Sequence, residues 1–141
     1  MTIFMSSSSH DNHLNYALSN YKKSFFVVEF LGLEISYTYD SCVVFFPVDK
    51  IYFGPNEAYH NGLLSTVMDI AMAHLTKKKA GSAGVTIELT SKYLNPLIKG
   101  PARCEAKFIV PNSIEGFLEA KIWDVEGVII SCASAIWNMP K

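Results

Sequence analysis

The sequence lacks the features that mark membrane, secreted and nucleic-acid-binding proteins. No uncharged apolar run approaches the roughly 18 residues that a membrane span requires, and the first residues have neither the basic region nor the apolar stretch of a secretory signal. The 12 basic and 13 acidic residues give a formal net charge of −1, without the basic excess typical of a nucleic-acid binder. We therefore expect a cytoplasmic protein that contacts neither a membrane nor nucleic acid.

Cysteine is also scarce, and its placement argues against a metal or redox site. The three cysteines lie far apart and form no Cys-x-x-Cys pair. Cys42 precedes Val-Val-Phe-Phe and Cys132 follows Val-Ile-Ile-Ser, so both have apolar neighbours. We interpret all three as small core residues in a reducing compartment, and we expect no metal and no bound cofactor.

What the sequence does contain is enough apolar material for one folded domain. Half of its 141 residues are hydrophobic and 13% are aromatic, and a chain of this size buries roughly 70% of its unfolded surface. Residues 1–13 include four consecutive serines and are predicted to form a flexible tail, and residues 14–141 to form a single domain. At the start of that domain, apolar spacing predicts a short helix over residues 14–23.

The remaining pattern consists of several strand-like runs and one long helical stretch. Residues 60–79 have helical periodicity and end in three lysines before Gly81. Short, turn-rich connections between the later runs predict antiparallel hairpins, and strands beside one helix predict an α+β layer. The predicted strands are residues 33–39, 42–48, 85–94, 102–110, 116–123 and 128–137.

The long helix is apolar nearly all round, apart from one narrow stripe. At about 100° per residue, Gly62, Thr66, Asp69 and Ala73 fall on one side. The other positions are almost all apolar, which is typical of a buried helix that a sheet surrounds. Asp69 is the only charged residue between Glu57 and Lys77.

An acid at this position needs an explanation. The helix dipole stabilises a carboxylate only within the first turn, and Asp69 lies about two turns into the helix. Burial of a carboxylate is costly unless the group is paired or its pKa rises. We favour a general base or nucleophile over the alternative, a hydrogen-bonded structural carboxylate.

The start of the helix provides a second candidate element. Asn61 is a good N-cap type, and the first helical N–H groups, near Gly62, have no intrahelical partner and can polarise a carbonyl oxygen. On physical grounds His60 is either a capping or loop-packing histidine or a site residue. His74 lies away from the polar stripe and is predicted to be structural.

These residues belong to a pattern that resembles the hot-dog-fold acyl-CoA thioesterases, in the branch of the phenylacetic-acid-degradation and hydroxybenzoyl-CoA enzymes. That branch has a His-Gly-Gly motif, an acid nine residues after the histidine, a Val-Thr-Ile-type strand and a Tyr-x-x-Pro segment. The resemblance covers residues 25–141. The matching segments here are Phe30-Leu31-Gly32-Leu33-Glu34, His60-Asn61-Gly62 with Asp69, Gly84-Val85-Thr86-Ile87-Glu88-Leu89 and Tyr93-Leu94-Asn95-Pro96.

The resemblance implies a curved antiparallel sheet around one central helix, and a homodimer or homotetramer with active sites at the subunit interface. It implies that the Gly62 N–H holds the thioester carbonyl, with His60 beside it. Asp69 would act from the partner subunit as base or nucleophile, and the Thr86 hydroxyl would help to position water. The substrate would be an acyl-CoA, with coenzyme A as part of the substrate.

Two positions depart from the family pattern, and other polar residues are candidates for substrate binding. The middle motif residue is Asn61 rather than glycine, and Gly54 stands where the family often has asparagine. Asn56, two residues later, substitutes for that asparagine or simply forms a turn. The predicted substrate-binding residues are Asn56, Asn61, Thr66, Lys99 and Gly100. Lys77, Lys78 and Lys79 are interpreted as a solvated helix end rather than a phosphate site.

Two functions therefore follow from the sequence. The first is an acyl-CoA thioesterase in which Asp69 activates water or attacks the thioester, and Gly62 stabilises the oxyanion. The alternative is a non-catalytic hot-dog domain that binds acyl-CoA as a sensor or carrier, which the departure at Gly54 keeps open.

Overall fold

The computed structural model describes residues 15–16, 25–111 and 115–140. Its helices are α1 (Phe26–Leu31) and α2 (Asn61–Ala80), with one 3₁₀ turn at Lys50–Tyr52. Its strands are β1 (Glu34–Tyr37), β2 (Ser41–Phe46), β3 (Val85–Tyr93), β4 (Ala102–Phe108), β5 (Gly116–Trp123) and β6 (Ile129–Asn138). The six strands form one antiparallel sheet in the order β1-β2-β4-β5-β6-β3. The predicted α+β order of two strands, one long helix and four strands is confirmed.

The sheet surrounds α2 because the face beneath the helix is built from small side chains. Helix α2 contacts five strands, β2 to β6. One row across the sheet consists of Cys42, Ala106, Ala120 and Ala133, which stand opposite one another in register and are all buried. Such short side chains let a helix lie close to the sheet, and larger residues of α2 fill the space. The buried residues of α2 are Leu64, Val67, Met68, Ile70, Ala71, Met72, Leu75 and Thr76.

The segment before β1 forms a helix that the sequence pattern did not predict. Helix α1 consists of the six residues 26–31 and is capped by Gly32, which has the left-handed conformation, with φ 67°. The Phe-Val-Val run is strand-like in composition. The segment is nevertheless helical because its apolar side chains pack on the core: Leu31 is fully buried, and Val27, Val28 and Phe30 contact the core. The predicted tail and the predicted 14–23 helix lie outside the described residues, except that Asn15 and Tyr16 are helical.

The two edges of the sheet differ in length. β1, at one edge, has four residues, whereas β3, at the other, has nine. In the described part of the chain β3 pairs only with β6, and Val85 and Ile87 on it are 67% and 65% exposed. A long apolar edge of this kind is a ready template for pairing with another strand.

Two of the three cysteines have the core environment predicted for them. Cys42 and Cys104 are buried free thiols and Cys132 is half-buried. Burial raises the pKa of the Cys42 thiol to about 11 and also raises the pKa of Cys104. Because the thiolate is the reactive form, Cys42 and Cys104 are unreactive core residues at neutral pH. In the described residues, no helix is long and apolar enough to cross a membrane.

Burial disfavours the protonated form of His74, and this makes stability depend on pH. Its Nδ1 lies 3.2 Å from the Tyr37 hydroxyl, and burial, with the nearby Lys77 charge, lowers the His74 pKa below its usual 6.5. The unfolded chain therefore binds a proton more readily, so the free energy of unfolding should fall as pH drops through about 6.5. Urea denaturation at several pH values should show that His74→Gln flattens this fall. An unchanged pH dependence in the variant would contradict the prediction.

Candidate active site

The predicted catalytic acid lies at the middle of α2 and is paired with a side chain of the edge strand. Thr86 Oγ1 donates a hydrogen bond of 2.6 Å to Asp69 Oδ1, and both residues are half-buried. Asp69 lies on the predicted stripe, whose other members, Gly62, Thr66 and Ala73, are likewise not buried. The bond leaves Oδ2 and the second lone pair of Oδ1 available to a ligand. The structure thus brings together the predicted acid and the predicted hydroxyl.

A β-bulge directs Thr86 towards the helix. The register of β3 on β6 shifts between Thr86 and Glu88. Further along β3, Leu89 packs on the core and Ser91 faces α2, so strict alternation would next turn Ile87 inward. The extra residue leaves Ile87 exposed and turns Thr86 inward instead. Bulges are common beside active sites because they redirect a side chain in this way.

At the start of α2 the capping residue is His60, not Asn61 as the sequence predicted. His60 Nδ1 accepts the Gly62 N–H at 2.9 Å, and Asn61 is the exposed first residue of the helix. The imidazole lies between two glycines. A Cβ on Gly62 would come within 3.1 Å of its Nδ1 and Cε1, and one on Gly54 within 3.2 Å of its Cδ2. Neither glycine can gain a side chain unless the imidazole moves.

Asn56 lies in the turn that brings the chain to His60. The Glu57 N–H donates to the Gly54 carbonyl at 3.1 Å, and the Gly54 N–H donates to the Ala58 carbonyl at 2.8 Å. Asn56 Oδ1 lies 3.4 Å from the point that a Cβ on Gly54 would occupy. Asn56 is therefore part of the turn, and its side-chain amide lies next to the position that the Cβ atom of a larger residue 54 would occupy.

The turn places Glu57 in the left-handed region, with φ 59°. A side chain there is strained and a glycine is not, although glycine costs more entropy on folding. We expect Glu57→Gly to raise the free energy of unfolding by about 0.5–1 kcal/mol. Urea denaturation would measure the gain, with Glu57→Ala as the control because it keeps Cβ. Equal stability of the two variants would show that φ strain is not the cause.

The predicted residues form two groups along α2. His60, Gly62 and Thr66 lie near its start, where the Thr66 hydroxyl donates to the Gly62 carbonyl at 2.9 Å. Asp69 follows Gly62 by seven residues, which is a rise of about 10 Å along the helix axis. A carbonyl held by the Gly62 N–H therefore cannot also lie in contact with Asp69 of the same chain.

Lys99 and Gly100 lie on the segment beside the start of α2. The Leu97 carbonyl accepts the Tyr59 N–H at 2.9 Å, so this segment runs next to the residue before His60. Lys99 Nζ is 3.6 Å from Glu126 Oε1 in an exposed ion pair. A Cβ on Gly100 would come within 2.7 Å of the Val48 side chain. Close packing thus accounts for Gly100 without a ligand.

A hydroxyl cluster between the two groups was not found from the sequence. Ser65 Oγ donates to Ser91 Oγ at 3.0 Å and also shares a short hydrogen bond with the Tyr93 hydroxyl. Ser91 and Tyr93 are two residues apart on β3, so their side chains lie on the same face of the sheet. That spacing is the sequence feature from which the cluster could have been predicted. The cluster joins the edge strand to α2 beside the candidate site. Over the described ranges, no group of three or more His, Cys, Asp or Glu residues could hold a metal ion.

Several solved structures share this architecture at low sequence identity. A Bacillus halodurans protein solved with CoA has a TM-score of 0.83 and 17% identity, covering 99% of this chain and 98% of its own. The E. coli PaaI protein, from the phenylacetic acid degradation operon, has a TM-score of 0.76 and 18% identity, covering 95% and 97%. A thioesterase of Haemophilus influenzae has a TM-score of 0.74 and 20% identity, covering 84% and 85%.

No protein-family model matches the chain, and no curated protein is significantly similar to it. At identities of 17–20% the structural likeness establishes the fold. The sheet order and the central position of α2 agree with that likeness. The chain has the hot-dog fold, as the resemblance of its motifs implies.

Proposed function

We propose that this protein hydrolyses acyl-CoA thioesters to a free acid and coenzyme A. The observation that carries the proposal is the Asp69 carboxylate, which lies on the unburied stripe of an otherwise buried helix and accepts a 2.6 Å hydrogen bond from Thr86. The fold supports it, since one structural neighbour is a thioesterase and another was solved with CoA.

The separation of Asp69 from Gly62 favours a site that two copies of the chain share. With about 10 Å between them along one helix, the carbonyl bound at Gly62 needs a carboxylate from elsewhere. Asp69 is hydrogen-bonded to Thr86 on β3, the longer of the two edge strands. Its carboxylate therefore lies close to the edge at which a second copy would pair. We infer that Asp69 of one subunit acts on a thioester held at Gly62 of its partner.

The minimum assembly is then a homodimer joined through β3, or a tetramer made from two such dimers. Pairing of this edge would cover Val85 and Ile87, the two most exposed apolar residues of the strand. It would also satisfy the outer row of backbone N–H and C=O groups.

The chemistry requires His60 to move. Its Nδ1 occupies the Gly62 N–H, which is the donor that would stabilise the oxyanion. When the thioester oxygen replaces the imidazole, that N–H polarises the carbonyl. Asp69 then either attacks the carbonyl carbon or takes a proton from a water that attacks it, with Thr86 orienting the carboxylate. Collapse of the tetrahedral intermediate breaks the carbon–sulfur bond, and the departing coenzyme A thiolate takes up a proton. Where water attacks, this step gives the free acid directly. Where Asp69 attacks, it leaves an acyl–Asp69 anhydride, which a water molecule then hydrolyses to the free acid and the Asp69 carboxylate.

The second candidate is a domain that binds acyl-CoA without cleaving it. Gly54 favours this candidate because it provides no side chain to position water, so that task would fall to Asn56. Lys99, beside the start of α2, is a candidate contact for the nucleotide in either case.

A panel of acyl-CoA thioesters, assayed for release of free thiol, separates the two candidates. Hydrolysis of at least one member, well above the rate of an Asp69→Asn control, would support the enzyme. Saturable binding of several members with no thiol release would support the carrier. The same panel ranks the acyl groups.

A further inference from the structure

A cavity of about 500 Å³ lies at the opposite end of α2 from His60. It is enclosed by the last turns of α2, the loop between β1 and β2, and the end of β4. Its lining residues are Tyr39, Asp40, Leu75, Lys78, Lys79, Lys107, Phe108 and Pro111. Lys79 follows Asp69 by ten residues, which is about 15 Å along the helix. The volume is in the range of small-molecule sites.

The cavity has an apolar floor. Leu75 is 4% exposed and belongs to the hydrophobic core, and Phe108 packs against that core. Pro111 and the exposed ring of Tyr39 extend the apolar lining towards the mouth. A ligand here would therefore bury an apolar body.

The lining is strongly cationic, with three lysines against one aspartate. Lys79 Nζ lies 4.4 Å from the centroid of the Phe108 ring, and Lys78 Nζ donates to the Thr38 carbonyl at 2.6 Å. These contacts hold both ammonium groups against the cavity wall. The dipole of α2 accounts for lysines in its last turn. Lys107 comes from β4, where it stands opposite Glu119 of β5 in register.

We propose that this cavity binds an amphipathic anion, specifically a medium-chain alkyl carboxylate. The alkyl chain would lie on Leu75 and Phe108, and the carboxylate would contact Lys78 and Lys79. The lysines outnumber Asp40, so the lining suits an anionic head group and disfavours a cationic one. The site goes beyond the proposed hydrolysis and does not depend on it.

Isothermal titration calorimetry with decanoate, below its micelle concentration, tests the proposal. We expect one saturable site per chain, and a Lys78→Gln/Lys79→Gln double variant should bind at least about fivefold more weakly. Lys77→Gln is the matched control, because Lys77 is in the same helical turn but does not line the cavity. Decanol, which has the same chain and no charge, should bind much more weakly than decanoate.

Three further measurements separate this site from the others. Asp69→Asn should bind decanoate as the wild type does, and excess CoA should not displace it. Light scattering should show the same oligomeric state for the double variant and the wild type. Displacement by CoA would place decanoate in the acyl-CoA site and overturn the proposal. Equal binding of decanol, unchanged affinity in the double variant, or an altered oligomeric state would overturn it as well.

Discussion

Asp69→Asn should lower the turnover of the best acyl-CoA substrate at least about a hundredfold, because asparagine can neither accept a proton nor attack a carbonyl. The fold should persist, since the side chains are nearly isosteric and an asparagine oxygen can still accept the Thr86 hydrogen bond. Free-thiol release at saturating substrate measures the effect, and circular dichroism checks the fold.

Thr86 provides a graded test of the same pair. Thr86→Val removes the donor to Asp69 but keeps the shape of the side chain, so turnover should fall by about tenfold. Thr90→Val is the matched control, because Thr90 lies on the same strand with its side chain exposed. Wild-type turnover in Asp69→Asn would exclude Asp69 as the catalytic group. Equal losses at Thr86 and Thr90 would assign the effect to the strand and not to the hydroxyl.

Mixing two inactive variants should restore activity if the site is shared between subunits. Gly62→Pro removes the N–H proposed to stabilise the oxyanion, at the second helical residue, whose N–H has no intrahelical partner. Its ring also displaces the His60 imidazole, which must move in the proposed reaction in any case. A mixed dimer of Gly62→Pro and Asp69→Asn chains contains one site with both groups intact. Random reassociation should therefore recover about a quarter of wild-type activity, measured by thiol release after the variants are unfolded and refolded together.

Asn61→Pro is the control for the backbone change. It places proline one residue earlier and keeps the Gly62 N–H, so it should retain most of the activity. The shared site requires light scattering to show at least a dimer at micromolar concentration. A monomeric wild type, or mixtures no more active than their components, would rule out a site divided between subunits.

The sequence alone determined the architecture, because that information is local and periodic. The apolar faces of residues 60–79 and the turn-rich breaks between the later strands predict a long buried helix on an antiparallel sheet, and the structure confirms both. The sequence also identified Asp69 as a candidate site residue, because it is the only acid in a helix that is apolar nearly all round.

Tertiary structure decided which residues meet, because those contacts depend on register and on competing partners. Thr86 reaches Asp69 only because a bulge interrupts the alternation of β3, and a period of two cannot reveal where such a bulge falls. Residues 26–31 became a helix because packing on the core outweighs their strand-like composition. His60 displaced Asn61 as the cap because Gly54 and Gly62 leave room for an imidazole between them, and only the folded loop brings those two glycines together.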